Sequence, residues 1–303
     1  MRQPQWLCSL PVHNTLGENV LWHPHRAELW WTDIHSRRLY RYALGREAEP
    51  ASGTLTQWHT PERLAAFGFV PGDGAQTLIA AFDRGFALYT PDTAECHWLA
   101  QPESHLPAHR FNDGKVDHQG RFWAGTMVER GDPLAGEGGA LYCWSGTAGV
   151  QRHLRGLGIS NGLSWSPDSR TAYLSDSARG VYYAYDFDAP SGRFSNRRLL
   201  ALAPDGVGHD GACVDAEGQL WSAHFGGGRV VCYAPDGEER LVLDLPVSQP
   251  TCVAFGGPDL SWLCITTARE HLSQSQCAKE PEAGNVLIYQ TGVKGLPADF
   301  FQG

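Results

Sequence analysis

The chain is short of the residues that build long helices and of the runs that cross membranes. Its 303 residues include two Met and few Lys, so long helical stretches are not expected. No apolar run approaches the roughly 20 residues that span a bilayer. The start, Met1-Arg2-Gln3-Pro4-Gln5-Trp6, lacks the apolar core of a secretory signal, and a cytoplasmic protein is expected. Positive charge is scarce too. Lys+Arg number 24 against 33 Asp+Glu, for a net −9 with His neutral and no basic cluster. Nucleic acid and anionic membrane are therefore poor partners. None of the eight Cys forms a C-x-x-C pair, and most sit in apolar strand-like segments, as in Val231-Cys232-Tyr233. They read as reduced core thiols. There is no G-x-S-x-G, no H-E-x-x-H and no phosphate-loop sequence, which removes several common catalytic plans.

What is present is turn and strand. Gly 35, Pro 19 and Trp 11 point to many reversals and many anchored strands. With 42% hydrophobic and 19% charged residues, disorder is excluded. The chain repeats itself about every 50 residues, a period typical of propeller blades. One unit runs Gly17–Pro24, Glu28–Asp33 and Arg38–Tyr42; others begin at Asn161 and Asp210. Turns such as Gly72-Asp73-Gly74 and Ala216-Glu217-Gly218 separate strands rich in aromatic and β-branched residues. Six units account for nearly all of residues 1–303. The expected fold is all-β, one six-bladed β-propeller domain of four-stranded antiparallel blades. Trp6–Val12 is the candidate strand that completes the last blade. A pair of β-sandwiches is the competitor, but sandwiches predict no constant period.

Four polar side chains recur at one place in this repeat. Glu18 precedes Trp30 by 12, Asn112 precedes Trp123 by 11, Asn161 precedes Tyr173 by 12, and Asp210 precedes Trp221 by 11. The first strand of each blade lines the central channel, so the four should surround one axis at one height. Blade two offers Ala66 or Phe67 there, and blade six Thr251 or Cys252. The ring is polar on one side and apolar on the other, which suits a pocket with a wall for substrate. Taken singly, Asn161-Gly162 and Asp210-Gly211 also suit turns. Taken together, two carboxylates and two amides at one pore call for a cation, and oxygen ligands suit a hard or borderline metal. His23-Pro24-His25 reads as surface histidines, and His209 should point away from its neighbour Asp210. Gly226-Gly227-Gly228 reads as a hairpin loop.

At these residues the chain resembles the senescence-marker protein/gluconolactonase/regucalcin family. The match rests on Leu16-Gly17-Glu18, on Arg110-Phe111-Asn112-Asp113-Gly114-Lys115 followed by Gly120–Met127, and on Ser160-Asn161-Gly162-Leu163. Asp210-Gly211 with Gly218-Gln219-Leu220-Trp221, Thr266-Thr267-Ala268-Arg269 and Gly292-Val293-Lys294-Gly295 support it. The resemblance implies a six-bladed propeller and a sugar lactonase dependent on one divalent metal: calcium, zinc, manganese, magnesium or iron(II). It implies Glu18, Asn161 and Asp210 as metal ligands, and Arg110 and Asn112 as substrate-binding residues. In some animal members a glutamate soon after the Thr-Met pair contacts the sugar. Here that stretch is Val128-Glu129-Arg130, with the acid one place early. The expected reaction opens a sugar lactone such as gluconolactone, with Asp210 as general base. The expected partner is the small-molecule lactone, and the expected state a monomer or weak homo-oligomer. The alternatives are a non-catalytic calcium- or metabolite-binding propeller, or a different ester hydrolase on the same scaffold.

Overall fold

A computed structural model describes residues 1–45, 49–72 and 76–303. Strand-forming sequence dominates, and the described residues make six four-stranded antiparallel sheets. Each sheet is one blade of a β-propeller, as the repeat predicts. The innermost strands are Gly17–His23, Leu64–Phe69, His109–Val116, Ser160–Trp165, Gly208–Val214 and Pro250–Gly256. The Gly72-Asp73-Gly74 turn of blade two falls largely outside the described residues. Gly226–Gly228 does form a tight hairpin turn between Leu220–Phe225 and Arg229–Tyr233.

Ring closure uses the N-terminal strand. Gln5–Leu10 pairs with Val286–Gln290, the third strand of blade six, with Gln5 opposite Gln290 and Leu10 opposite Val286. A closed ring leaves no end blade with an open apolar face. Neighbouring blades bury aromatic side chains between them. Phe86, Phe111 and Phe122 meet between blades two and three, and Trp123 meets Trp165 and Phe187 between blades three and four. The bulky residues of the 11- and 12-residue spacing, Trp30, Trp123, Tyr173 and Trp221, are all buried to 1% exposure or less. Three of them settle their indole N–H on an acid of their own blade: Trp30 on Glu28 at 3.0 Å, Trp123 on Asp117 at 2.8 Å and Trp221 on Asp215 at 2.9 Å. A buried indole needs such a partner, so the recurring spacing has a packing cause as well as a functional one.

The segment after the last strand crosses one end of the channel. Gly295 bridges Asp215, and Phe300 bridges Phe69. Under this strap lies a small cavity lined by Val20, Trp22, Val116, Trp165, Val214 and Phe255 among others. His23 is buried here against Phe69 and Phe300, with ring centroids 4.6 and 5.3 Å away. It is not the surface histidine that its turn-like context suggests. Burial pushes its pKa down to about 4. All eight cysteines are free thiols, four of them fully buried. Among the described residues no helix is long and apolar enough to cross a membrane.

Candidate active site at the open end of the channel

The four recurring side chains stand where their strands are irregular. In every blade the pairing of the inner strand with the second slips: between Glu18 and Leu21, Leu64 and Ala66, Phe111 and Asp113, Asn161 and Ser164, His209 and Ala212, and Pro250 and Cys252. A β-bulge bends the strand and re-aims the residue at the slip. Asn112 and Asp210 lie inside their bulges, Glu18 and Asn161 at the edge. The residue after each of the latter takes a left-handed backbone, with φ 47° at Asn19 and 61° at Gly162. Asn161-Gly162 and Asp210-Gly211 are thus mid-strand bulges rather than turns. Gly211 serves a different need. A Cβ there would stand 2.6 Å from Cys252 Sγ, so only glycine lets the inner strands of blades five and six approach this closely.

Below Glu18, the buried Asn19 ties three blades together. Its Nδ2 donates to Gly114 O at 3.1 Å and its Oδ1 accepts from Phe67 N at 2.8 Å. Above it, a polar chain runs across blades three, four and five. Arg110 Nη1 donates to Asn112 Oδ1 at 2.9 Å, and Asn112 Nδ2 donates to Asn161 Oδ1 at 2.9 Å. Asn161 Nδ2 donates to Ser177 Oγ at 2.8 Å, which donates to His209 O at 2.5 Å. Arg is a donor only, so it fixes which way each amide faces. Asn161 therefore presents its oxygen to the channel, with one lone pair uncommitted.

Glu18 and Asp210 are 5% and 6% exposed. Their carboxyl groups are close neighbours. Each accepts from the next backbone N–H: Asn19 to Glu18 at 3.1 Å, Gly211 to Asp210 at 3.0 Å. Among the described residues neither has a basic side chain at ion-pair distance. Burial, followed by repulsion from neighbouring carboxylates, holds both pKa values well above the usual carboxylate range. Asp113 adds a third buried carboxylate beneath them, raised by burial and opposed by the nearby Lys115 ammonium. The motif Asn112-Asp113-Gly114-Lys115 contains this pair, but strand alternation alone would have turned Asp113 away from its neighbour's face. The bulge defeats that rule.

Glu18, Arg110, Asn112, Asn161 and Asp210 all line one cavity of about 700 Å³. Glu129 lines it too. Its carboxylate bonds Arg63 Nη1 at 2.6 Å and lies 3.5 Å from Arg110 Nε. Burial would raise its pKa, but the two guanidiniums outweigh this and hold it low. The acid one place early thus anchors Arg110. Ser177, His35 and Glu270 complete the inner wall and carried no signal in the sequence; His35 Nε2 meets Glu270 Oε1 at 2.9 Å. One expectation needs correction. Ala66, Phe67, Thr251 and Cys252 do not form a substrate wall, because they are packed into the core at 5% exposure or less and none lines the cavity. The wall comes from loops beyond the strands. His209 does point away from Asp210, as expected, and lies sealed against Tyr182 and His224. Burial pushes it down to about 4.

A 6-deoxy-6-sulfogluconolactonase of Pseudomonas putida is 36% identical over 298 residues, covering 98% of each chain. An L-arabinolactonase of Azospirillum brasilense is 34% identical, covering 96% of this chain and 94% of its own. The solved structure of a calcium-binding protein, regucalcin, from Agrobacterium tumefaciens str. C58 superposes with a TM-score of 0.87 at 29% identity, covering 99% of this chain and 97% of its own. The model of the SMP-30/Gluconolactonase/LRE-like region matches residues 16–269. With the propeller, the bulged polar ring and these likenesses in agreement, the chain belongs to the SMP-30/gluconolactonase/LRE-like family.

Proposed function

We propose that the protein hydrolyses a sugar lactone to its open-chain acid, with one divalent cation held by Glu18, Asn161 and Asp210. The observation that carries this is the pair of neighbouring buried carboxylates without a basic partner, beside an amide oxygen held outward. Two hard carboxylates and one amide oxygen fit a divalent ion, whose charge would offset theirs. When bound, it would supply Lewis-acid polarisation of the lactone carbonyl and a more acidic water.

The chain's own residues would do the rest. Asp210 accepts the proton of the attacking water as the new C–O bond forms, and Glu18 stays a ligand. As the ring C–O bond breaks, the leaving alkoxide takes a proton back and the acid is released. Arg110, held by Asn112, Phe111 O and Glu129, offers its planar donors to substrate oxygens. Asn112, fixed between Arg110 and Asn161, keeps the lactone in line for attack. The two lactonase relatives name different sugars, so they support the reaction rather than one substrate.

The test is acid release, followed with a pH indicator, from glucono- and arabinonolactones with Ca²⁺, Mn²⁺, Zn²⁺ or Mg²⁺ added to chelator-treated protein. Metal-dependent release supports the reading. Tight Ca²⁺ binding with no hydrolysis of any lactone would favour the non-catalytic ion-binding alternative, and full activity after verified metal removal would refute the metal's role.

A further inference from the structure

The cavity is far larger than a six-membered lactone needs, and its outer rim is charged unevenly. Five basic side chains line it: Arg110, Arg130, Arg179, His35 and His271. Four are engaged. Arg110 bonds Phe111 O and Asn112 and lies at ion-pair distance from Glu129; Arg179 bonds Asp176 and Gly156 O; both histidines lie on Glu270. Arg130 alone has no hydrogen-bond or ion-pair partner among the described residues, and its side chain is exposed at the mouth.

Its surroundings add to this. Arg130 follows Glu129 directly, just beyond the strand Phe122–Val128 that pairs with the strand carrying Arg110 and Asn112. On this wall the guanidiniums of Arg63, Arg110 and Arg130 face two carboxylates: Asp83, bonded to Arg63 at 2.7 Å, and Glu129. The nearby Asp132 turns back onto Leu134 N. Asp205, the exposed acid of the rim, sits on the segment that packs against Gly180 of blade four. Arg63 and Arg110 are thus matched by Asp83 and Glu129, which leaves Arg130 without a carboxylate of its own among the described residues. An unpaired guanidinium beside a substrate-sized cavity is suited to a planar or tetrahedral oxyanion, which it can hold with two parallel N–H bonds.

We propose that the substrate is an anionic sugar lactone, bearing a carboxylate, sulfonate or phosphate on the carbon farthest from the ring carbonyl, and that Arg130 binds that group. This rests on the lactonase reading of the site. With the carbonyl at the Glu18–Asp210 end, the far end of the sugar extends toward the rim, and the unused cavity volume receives its substituent.

The test compares gluconolactone with its 6-phospho, 6-deoxy-6-sulfo and 6-carboxylate counterparts, on the full chain with divalent cation, in wild type, Arg130→Gln and Arg130→Lys. The expected result is a wild-type preference for at least one charged lactone. Arg130→Gln should raise KM for it by about tenfold, the scale of one charge-assisted bond. The neutral lactone should be unaffected, Arg130→Lys should recover part of the preference, and high salt should erode it. Equal rates on neutral and charged lactones, or equal losses on both in Arg130→Gln, would overturn the proposal and leave the lactonase reading intact. If no lactone is hydrolysed, that reading fails first. Calorimetry with 6-phosphogluconate, 6-deoxy-6-sulfogluconate and glucarate, each against gluconate, then decides. Tighter binding of a second anion that Arg130→Gln abolishes supports anion recognition, and no preference refutes it.

Discussion

The two mouths of the channel are built from the same strands and have opposite characters. At one end Glu18, Asn112, Asn161 and Asp210 open into a cavity of about 700 Å³. At the other, Trp22, Val116, Trp165 and Val214, a few residues further along those strands, are covered by the strap at 295–301. The difference teaches where each kind of stability resides. Aromatic packing holds the closed end, so the open end can keep two unpaired carboxylates that by themselves oppose folding.

The sharpest break between the two mouths is catalytic. Asp210→Asn is expected to lower lactone hydrolysis by on the order of 10³-fold, as for loss of a general base, while the circular dichroism spectrum stays unchanged. Unchanged activity would remove Asp210 from the reaction. At the closed mouth Trp22→Ala should do the reverse. It should cost about 3–5 kcal/mol of stability in urea unfolding and leave KM untouched. A raised KM would show that the two ends are coupled.

Between these extremes lies the serine that orients the ring. Ser177→Ala removes the support of Asn161 Nδ2 and of His209 O, and should weaken divalent-cation affinity by about tenfold, the usual scale for a residue that orients a ligand. Calorimetric titration reads this without turnover; unchanged affinity would mean that Asn112 alone holds Asn161.

The smallest effect is on pH. Glu18 and Asp210 have raised pKa values when folded, so above the ordinary carboxylate range the folded state retains protons that the unfolded state has lost. Stability of cation-free protein should therefore fall as pH rises. Between about pH 6.5 and 8.5 the buried histidines with lowered pKa no longer contribute. His118, raised by its hydrogen bond to Asp299, loses stability in the same direction, and its share is removed by making the comparison in a His118→Gln background. A divalent cation should raise the melting temperature more at the upper end. An equal rise at both ends would indicate that neither carboxyl group holds a proton there.

Much of the fold could be read from the residues, because each blade repeats one pattern and buries one kind of side chain. The 11- and 12-residue spacings work since Trp30, Trp123 and Trp221 must reach both a core and an indole acceptor. The closing strand was legible from Trp6 onward for the same periodic reason. Within the site, five residues were legible because they recur or belong to a motif, and all five share the cavity. Asp113, Ser177 and the His35–Glu270 pair were not. Asp113 depends on a bulge that breaks alternation, while the others sit on loops whose course no period fixes. His23 misled because its turn-like neighbours say nothing of a strap arriving from residue 300.

The joining of Gln5–Leu10 to Val286–Gln290 has a kinetic consequence. Its partners lie some 280 positions apart, the longest-range pairing in the molecule. Closing so large a loop is slow relative to forming local hairpins. Five blades can assemble as neighbours while the sixth still lacks its outer strand. A circular permutant cut between two blades would make that pairing local, and the ring should then close faster with the same final structure.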